Sequence, residues 1–489
     1  MYNKLILKLK NYLMNKIQYI KKNKYLYILL SLYLLFSIST YSIWQAKNHN
    51  NITGDEPHYL VMANGISKYQ SFEQTKPYQE EFITRKIYPP GLNTGNQNSS
   101  PSPQNTHAVL GPNGLFNVHN IGLPLLLAIP YKIAGVHGCK AFMILNGGVI
   151  ILLLWKIISL LCTNENIKFL AILPLAISNP LIFASNQIYP EFPAATISLL
   201  GLYWLIHKIT RNQSNKIFDL FCFISISFLP WLHIKYSITL VILLSFMLFK
   251  LIKSNTIRKR LIYLFTPSIL SIFTLFLYNN YAFGNITGPY NQWTVYGSNV
   301  QFSWKSLTVF LGLLFDQEQG IFLQNPLNLL GLISIGLLYK NNKILSFSIG
   351  LVSLSSIFIN SIHPAWFGGY SLIGRFGWTG GIVFMIYAAY ALVVIGKLNK
   401  NFLIVLSSIS IFISMHIYKL FTINAMNFYN IDNNTNSSRL YSEISMYLPS
   451  WVNANEVIVH MPNLLFILFS ILLFYSGFIL KNKWIGDKI

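Results

Sequence analysis

Long apolar runs, separated by short basic segments and a few longer polar ones, dominate the chain. Runs of roughly 17 to 22 residues are long enough to cross a hydrocarbon core of about 30 Å. They lie near 25–44, 140–161, 167–185, 191–207, 217–232, 237–252, 261–278, 319–339, 344–362, 378–396, 402–422 and 461–480. This pattern predicts an all-α polytopic membrane protein with about twelve transmembrane helices. The run at 217–232 is short and continues into Trp231-Leu232-His233, so eleven or thirteen stays open. Gly122 to Gly135 is apolar but short and interrupted by Pro124 and Pro130, which predicts a helix lying along the outer interface. Trp304 to Phe315 has the same character. The stretch Asn93 to Thr106, rich in Asn, Ser, Gly and Pro, predicts a flexible loop.

Basic residues orient the spans. Lys4, Lys8, Lys10, Lys16, Lys21, Lys22 and Lys24 precede the first run, which places the N-terminus in the cytoplasm by the positive-inside rule. The run from Tyr25 to Trp44 is longer than a signal-peptide core and ends in bulky residues, so it reads as an uncleaved anchor. Alternation from there puts Lys208/Arg211/Lys216, Lys250 to Arg260, Lys340/Lys343, Lys397/Lys400 and Lys481/Lys483/Lys488 inside, the C-terminus with them. The longer loops, 45–139, 279–318 and 423–460, fall outside.

Composition narrows the class further. Of the 489 residues, 53% are hydrophobic and 10% charged, against about 25% charged in soluble domains. The net charge of +22 would suggest nucleic acid in a soluble protein. Here the lysines follow topology, and no nucleic-acid partner is expected. Acids contribute little to topology, yet of the 14 only Glu165, Asp219 and Asp487 fall on the predicted inner side. Longer outer loops account for part of that bias, and the remainder directs the search for a site to the outer face. Cys139, Cys162 and Cys222 form no C-x-x-C, which argues against a disulfide framework or a thiolate metal site.

The first outer loop opens with Gly54-Asp55-Glu56-Pro57-His58-Tyr59-Leu60. Two adjacent carboxylates and an imidazole at a membrane boundary suit proton transfer or a divalent cation. A structural reading competes: Asp55 caps a helix in which Pro57 takes an early position and which runs through Ile66. The two are compatible, since a cap also fixes the carboxylate's direction.

This motif, placed after a first transmembrane helix, resembles the acidic motif of the GT-C superfamily of membrane glycosyltransferases. The similarity is to bacterial relatives of protein O-mannosyltransferases and of the lipid A aminoarabinose transferase. It continues through His119 to Gly135, Tyr189-Pro190-Glu191-Phe192-Pro193, Trp231-Leu232-His233-Ile234-Lys235-Tyr236, Gly312 to Gly320, and Trp366 to Tyr370 with Gly374-Arg375-Phe376, covering roughly 25–400. The resemblance implies a GT-C-like catalytic domain over 25–422, after a basic cytoplasmic N-terminus (1–24). A last outer loop (423–460) and a final helix with a cytoplasmic tail (461–489) would follow. It implies transfer of a sugar from a polyprenyl-phosphate carrier to a lipid, glycan or protein acceptor on the outer side, with inversion.

The resemblance makes Asp55 the base and has Glu56 orient the acceptor or share a cation. Glu191 stands where relatives often place an acidic ligand, some of them Asp, and its structural alternative is a cap on the fourth span. Arg375 is the first candidate for the donor phosphate, because Gly368, Gly369 and Gly374 allow close backbone approach and its fork suits bidentate binding. It could equally anchor the tenth span. Lys235 is second, with snorkelling as its alternative. Asp316 and Glu318 precede a span, where a cation, Arg375 or the helix N-terminus would relieve their repulsion. His58, His119 and His363 lie on the outer side, but no histidine pair has metal-ligand spacing. Trp366 and Tyr370 sit beside Arg375, and Tyr370 joins His58, Glu191, Asp316 and Glu318 as candidates for an acceptor, sugar or cation site. No cofactor is required, although Asp55 and Glu191 admit a divalent cation.

Other classes remain in view. A transporter or flippase of a lipid-linked sugar would concentrate charge near mid-span in repeated halves, whereas these spans are almost free of mid-span charge. A polysaccharide ligase or polymerase shares the substrates but usually lacks an acidic pair after the first helix. Asp432, Arg439, Glu443 and Glu456 in the last outer loop could help select an acceptor, though nothing in their spacing says so.

Overall fold

The computed structural model describes residues 23–48, 52–92, 97–211, 215–252, 257–289, 302–363, 365–430, 440–451 and 461–480. The N-terminal lysines before Asn23, the tail after Leu480, and Asp432, Arg439 and Glu456 lie outside the described residues. Among the described residues the fold is α-helical, with one small hairpin. In chain order the longer helices are α1 (Lys24–Ala46), α2 (Glu56–Tyr69) and α3 (Thr75–Thr84), then the strands β1 (Ala108–Gly111) and β2 (Gly114–Asn117). These are followed by α4 (Gly122–Leu161), α5 (Glu165–Ala176), α6 (Glu191–Arg211) and α7 (Lys216–Ser227). The rest are α8 (Ser237–Ile252), α9 (Ile257–Phe283), α10 (Trp304–Phe315), α11 (Leu327–Asn341), α12 (Lys343–Ser361), α13 (Trp378–Leu398), α14 (Lys400–Asn424) and α15 (Met461–Ile479).

Among the described residues, nine helices are long and apolar enough to cross a membrane, and α10 and α11 are shorter apolar helices. Nine of the twelve expected runs correspond to these long helices. The other three are interrupted. The 167–185 run stops at Ala176 and resumes as a single turn, Leu181–Ala184, beyond Pro180. The 217–232 run stops at Ser227 before a turn at Leu229–Leu232 containing Pro230. The 319–339 run is a turn at Ile321–Gln324 followed by α11 after Pro326. A proline lacks the N–H that would continue the ladder and restricts the residue before it. Polar side chains satisfy the breaks, as when Asn325 donates to the Ser178 hydroxyl at 2.7 Å.

Helix starts share a device. Asn164, Asn215, Asn342 and Asn399 precede α5, α7, α12 and α14, and each side-chain oxygen accepts a hydrogen bond from the first turn. Helix α13 forms the centre, packed by α4, α5, α6, α11, α12 and α14. It is buried along 83% of its most apolar stretch, against 17% for peripheral α15.

The interfacial stretch and the following span form one helix, α4, divided by a kink. Ala134 and Gly135 leave helical geometry, and Gly135 has φ +56°, which glycine adopts without strain. The first limb leaves Ile129 and Ile133 exposed. In the first loop, α2 packs on α3 and α4. The hairpin leans on the end of α9, where Asn113 Nδ2 donates to the Tyr281 carbonyl at 2.8 Å. Part of the expected flexible loop is closed by its own bonds, with Asn105 Oδ1 accepting from Ser102 N and Asn105 Nδ2 donating to Ser100 O.

Candidate active site

Asp55 precedes α2 in a tight turn. Gly54 has φ +55°, and a Cβ there would lie 2.6 Å from the Tyr370 carbonyl oxygen, so only glycine fits without a shift. Asp55 occupies the N-cap position, but its side chain caps nothing. Instead Oδ2 accepts from Arg375 Nη1 at 3.0 Å and Oδ1 lies 3.7 Å from His119 Nε2. The Asp55 side chain is 30% exposed, the one accessible member of an otherwise buried charged group.

Arg375 opens a short 3-10 turn that leads into α13. Nη1 also donates to the Gly368 carbonyl at 2.8 Å, and Gly368, Gly369 and Gly374 all have positive φ. The glycine-rich loop therefore approaches the guanidinium closely. Cζ lies 3.6 Å from the Tyr189 ring centroid, a cation–π platform whose hydroxyl is tied to the Thr53 carbonyl at 3.0 Å. On the other edge, Arg375 Nε and Glu191 Oε2 stand 3.4 Å apart, both buried and neither hydrogen-bonded. Glu191 Oε1 accepts from Lys235 Nζ at 2.8 Å, and that ammonium lies 4.3 Å above the Phe376 ring. Asp55, Glu191, Lys235 and Arg375 thus form one alternating quartet of two acids and two bases.

A group of histidines adjoins the quartet. The hairpin ladder continues past its strands, with Val118 N donating to the His107 carbonyl, and so brings His107 and His119 together. His107 Nδ1 and His119 Nε2 are 3.4 Å apart, and His58 stacks on His107 with ring centroids at 3.7 Å. His58 Nδ1 meets the Tyr78 hydroxyl at 2.7 Å, which also accepts from Asn117 Nδ2. Burial pushes His119 down to about 4 and His58 well below the ordinary imidazole range. His119 is therefore neutral near pH 7, the state a metal requires of an imidazole ligand. Burial opposes the charge on Asp55, but His119 and Arg375 beside it more than offset that and hold its carboxyl well below the usual range.

Ligand atoms of Asp55, His107 and His119 all lie within 4.8 Å of one another. A tetrahedral site with bonds of about 2.0–2.1 Å has edges of about 3.3 Å. The 3.4 and 3.7 Å separations here are close to that without movement of the backbone. The residues present therefore fit a divalent cation at Asp55 with two histidines, where the sequence left Asp55 and Glu191 as a possibility. Glu191 is engaged by Lys235 and Arg375.

Several expected residues do other work. Glu56 is fully buried and turned away from Asp55's partners. Oε1 accepts from Lys140 Nζ at 3.0 Å and Ile188 N at 2.6 Å, and Oε2 accepts from Thr53 N. These bonds lock the turn that holds Asp55 and bury the carboxylate that the sequence offered for the acceptor or a cation. Asp316 accepts from the backbone N–H groups of Glu318, Gln319 and Trp451, which ties the start of a turn to the segment before α15. Its described bonds, and that of the Glu318 amide, do not involve Arg375. Tyr370 borders the site through its carbonyl, which faces Gly54, while its ring packs on Tyr429.

Lys140 and Tyr189 carry no sequence signal for these roles. His107 and His119 had one, because Pro112-Asn113-Gly114 between two apolar stretches marks a turn that would pair their flanks. Compared with family models, curated proteins and solved structures, the chain matches none.

Proposed function

We propose that the chain is a glycosyltransferase that moves a sugar from a polyprenyl-phosphate donor to an acceptor at the extracytoplasmic face. The observation that carries this reading is the quartet itself. An accessible carboxylate, Asp55, sits 3.0 Å from a buried guanidinium whose Nε lacks a hydrogen bond, with a second cation, Lys235, beside it. That Nε faces Glu191 Oε2 at 3.4 Å as an ion pair without a hydrogen bond; a buried donor whose hydrogen bond is unmade calls for an explanation, and a phosphate oxygen beside it would supply one. The four members stand at helix starts, before α2, α8 and α13 and at the first residue of α6. That position suits chemistry at a membrane boundary better than the midplane sites of transporters.

In this reading the donor phosphate takes a place on Arg375 and Lys235. Asp55, released from Nη1, accepts the proton of the acceptor hydroxyl or amine as that group attacks the anomeric carbon. The bond from that carbon to the phosphate oxygen breaks, and the polyprenyl phosphate leaves with the electron pair, stabilised by the two cations. One displacement inverts the centre. A divalent cation held by Asp55, His107 and His119 would lower the pKa of an acceptor hydroxyl bound to it. Tyr189 keeps the guanidinium in plane, and Glu56 with Lys140 fixes the turn that aims Asp55.

The test is Asp55→Asn in a reconstituted assay with labelled polyprenyl-phosphate sugar. Loss of a general base is expected to lower transfer by about 10²–10⁴, while Arg375→Ala raises the apparent KM for the donor. Full activity of Asp55→Asn would remove this assignment. Movement of unaltered donor between leaflets by the purified chain would favour the flippase reading instead.

A further inference from the structure

Helices α8 and α12 run antiparallel. They are in contact, and near one end Thr239 Oγ1 and Ser356 Oγ are 3.3 Å apart. Toward the other end they part around a groove of about 340 Å³, lined by Ser245, Phe246 and Phe249 of α8 and by Lys343, Ile344 and Phe347 of α12. That volume is at the low end of ligand pockets, roughly 300–1,000 Å³. Apart from Ser245 and Lys343 the walls are apolar, and Phe249 and Phe347 leave 44% and 53% of their surface open. Both helices are among those long and apolar enough to cross a membrane, so an opening between them suits a lipid chain.

The charge around the groove selects the lipid. Lys343 starts α12 and has no carboxylate within ion-pair distance among the described residues; its ammonium lies 5.3 Å from the Tyr339 ring. Lys250 is in the last turn of α8, next to Phe249. The acids described toward this end of the molecule are both engaged, Glu165 by Lys168 and Asp219 by Lys208. Among the described residues the rim is therefore positive, with no carboxylate paired to Lys343, while the floor is apolar.

We infer that this groove holds one acyl chain of an anionic phospholipid whose phosphate is bound by Lys343, with Lys250 adding to the attraction. A zwitterionic lipid brings its own cation to the same rim and gains less. The inference does not rest on the transferase reading, because it concerns helix ends remote from Asp55 and is read by lipid retention rather than activity.

The experiment uses the full chain in nanodiscs of equal phosphatidylglycerol and phosphatidylcholine, released and weighed by native mass spectrometry. The wild type is expected to keep phosphatidylglycerol over phosphatidylcholine by about tenfold, given the attraction of basic residues for anionic lipid. Lys343→Glu should lose that preference, and Lys343→Gln most of it. Ser245→Trp, which fills the groove without changing charge, should lose the retained lipid altogether. Lys132→Glu, on the exposed first limb of α4, serves as the control and should change nothing. Equal retention of the two lipids by the wild type, or wild-type retention by both Lys343→Glu and Ser245→Trp, would overturn the inference. A melting curve on each variant separates loss of lipid from loss of fold.

Discussion

Helix α6 carries an ion pair at each end, and the two ends differ. At the end where α6 stops, Lys208 meets Asp219 at 2.9 Å, and Asp219 also accepts from the Trp204 indole N–H at 2.8 Å. Salt bridge and hydrogen bond together leave that carboxylate well satisfied. At the start, Glu191 stands between Lys235 and Arg375, yet its Oε2 and the facing Nε make no hydrogen bond. The two clusters are about 26 Å apart along one helix, from 17 residues at 1.5 Å each. Both hold buried charge, but only one keeps an exposed member and unmet bonding capacity. A fully satisfied polar cluster rigidifies a fold, while a buried group with an unmade hydrogen bond calls for an explanation, a catalytic role or a bound ion among them.

Substitutions test this contrast. The largest effect on stability is expected from Asp219→Ala, which strands the Lys208 ammonium in a buried place and should cost about 3–5 kcal/mol in unfolding experiments. Transfer per folded molecule should be unchanged; a loss of activity without a loss of stability would erase the distinction between the two ends. Glu56→Gln comes next, at about 3 kcal/mol, because Lys140 loses its charged partner. It should also misplace Asp55, so activity falls with stability. Asp55→Asn is expected to cost under about 1 kcal/mol, as its pair is partly exposed. With Arg375 released from a competitor, that inactive variant should bind polyprenyl phosphate several-fold more tightly than the wild type. Weaker binding in a direct titration would mean that Asp55 and the phosphate do not compete for the guanidinium.

Much of the architecture was legible because a bilayer imposes long apolar runs, and nine of these became long helices. The interruptions at Pro180, Pro230 and Pro326 were harder to see, since the residues around them are as apolar as the helices. Within the site, Asp55, Glu191, Lys235 and Arg375 could be singled out because ionisable residues at the edge of a span are conspicuous. Their mutual arrangement could not, because it joins positions up to 320 residues apart. Asp55 and Glu56 were coupled by adjacency, yet successive residues entering a helix point about 100° apart. One faces Arg375 and the other Lys140. The histidine pair depended on a hairpin that apolar-run analysis passes over.

The kink in α4 has a mechanical consequence. The first limb begins at Gly122, where a Cβ would collide with the Trp231 carbonyl and Leu232 amide, three to four residues before Lys235. The second limb carries Lys140, clamped to the residue beside Asp55. One covalent piece therefore works like a caliper whose jaws grip the acid and the cation from opposite sides. The bend at Ala134 and Gly135 is its pivot, and the angle held there sets how the turn that carries Asp55 and the segment that carries Lys235 stand to each other.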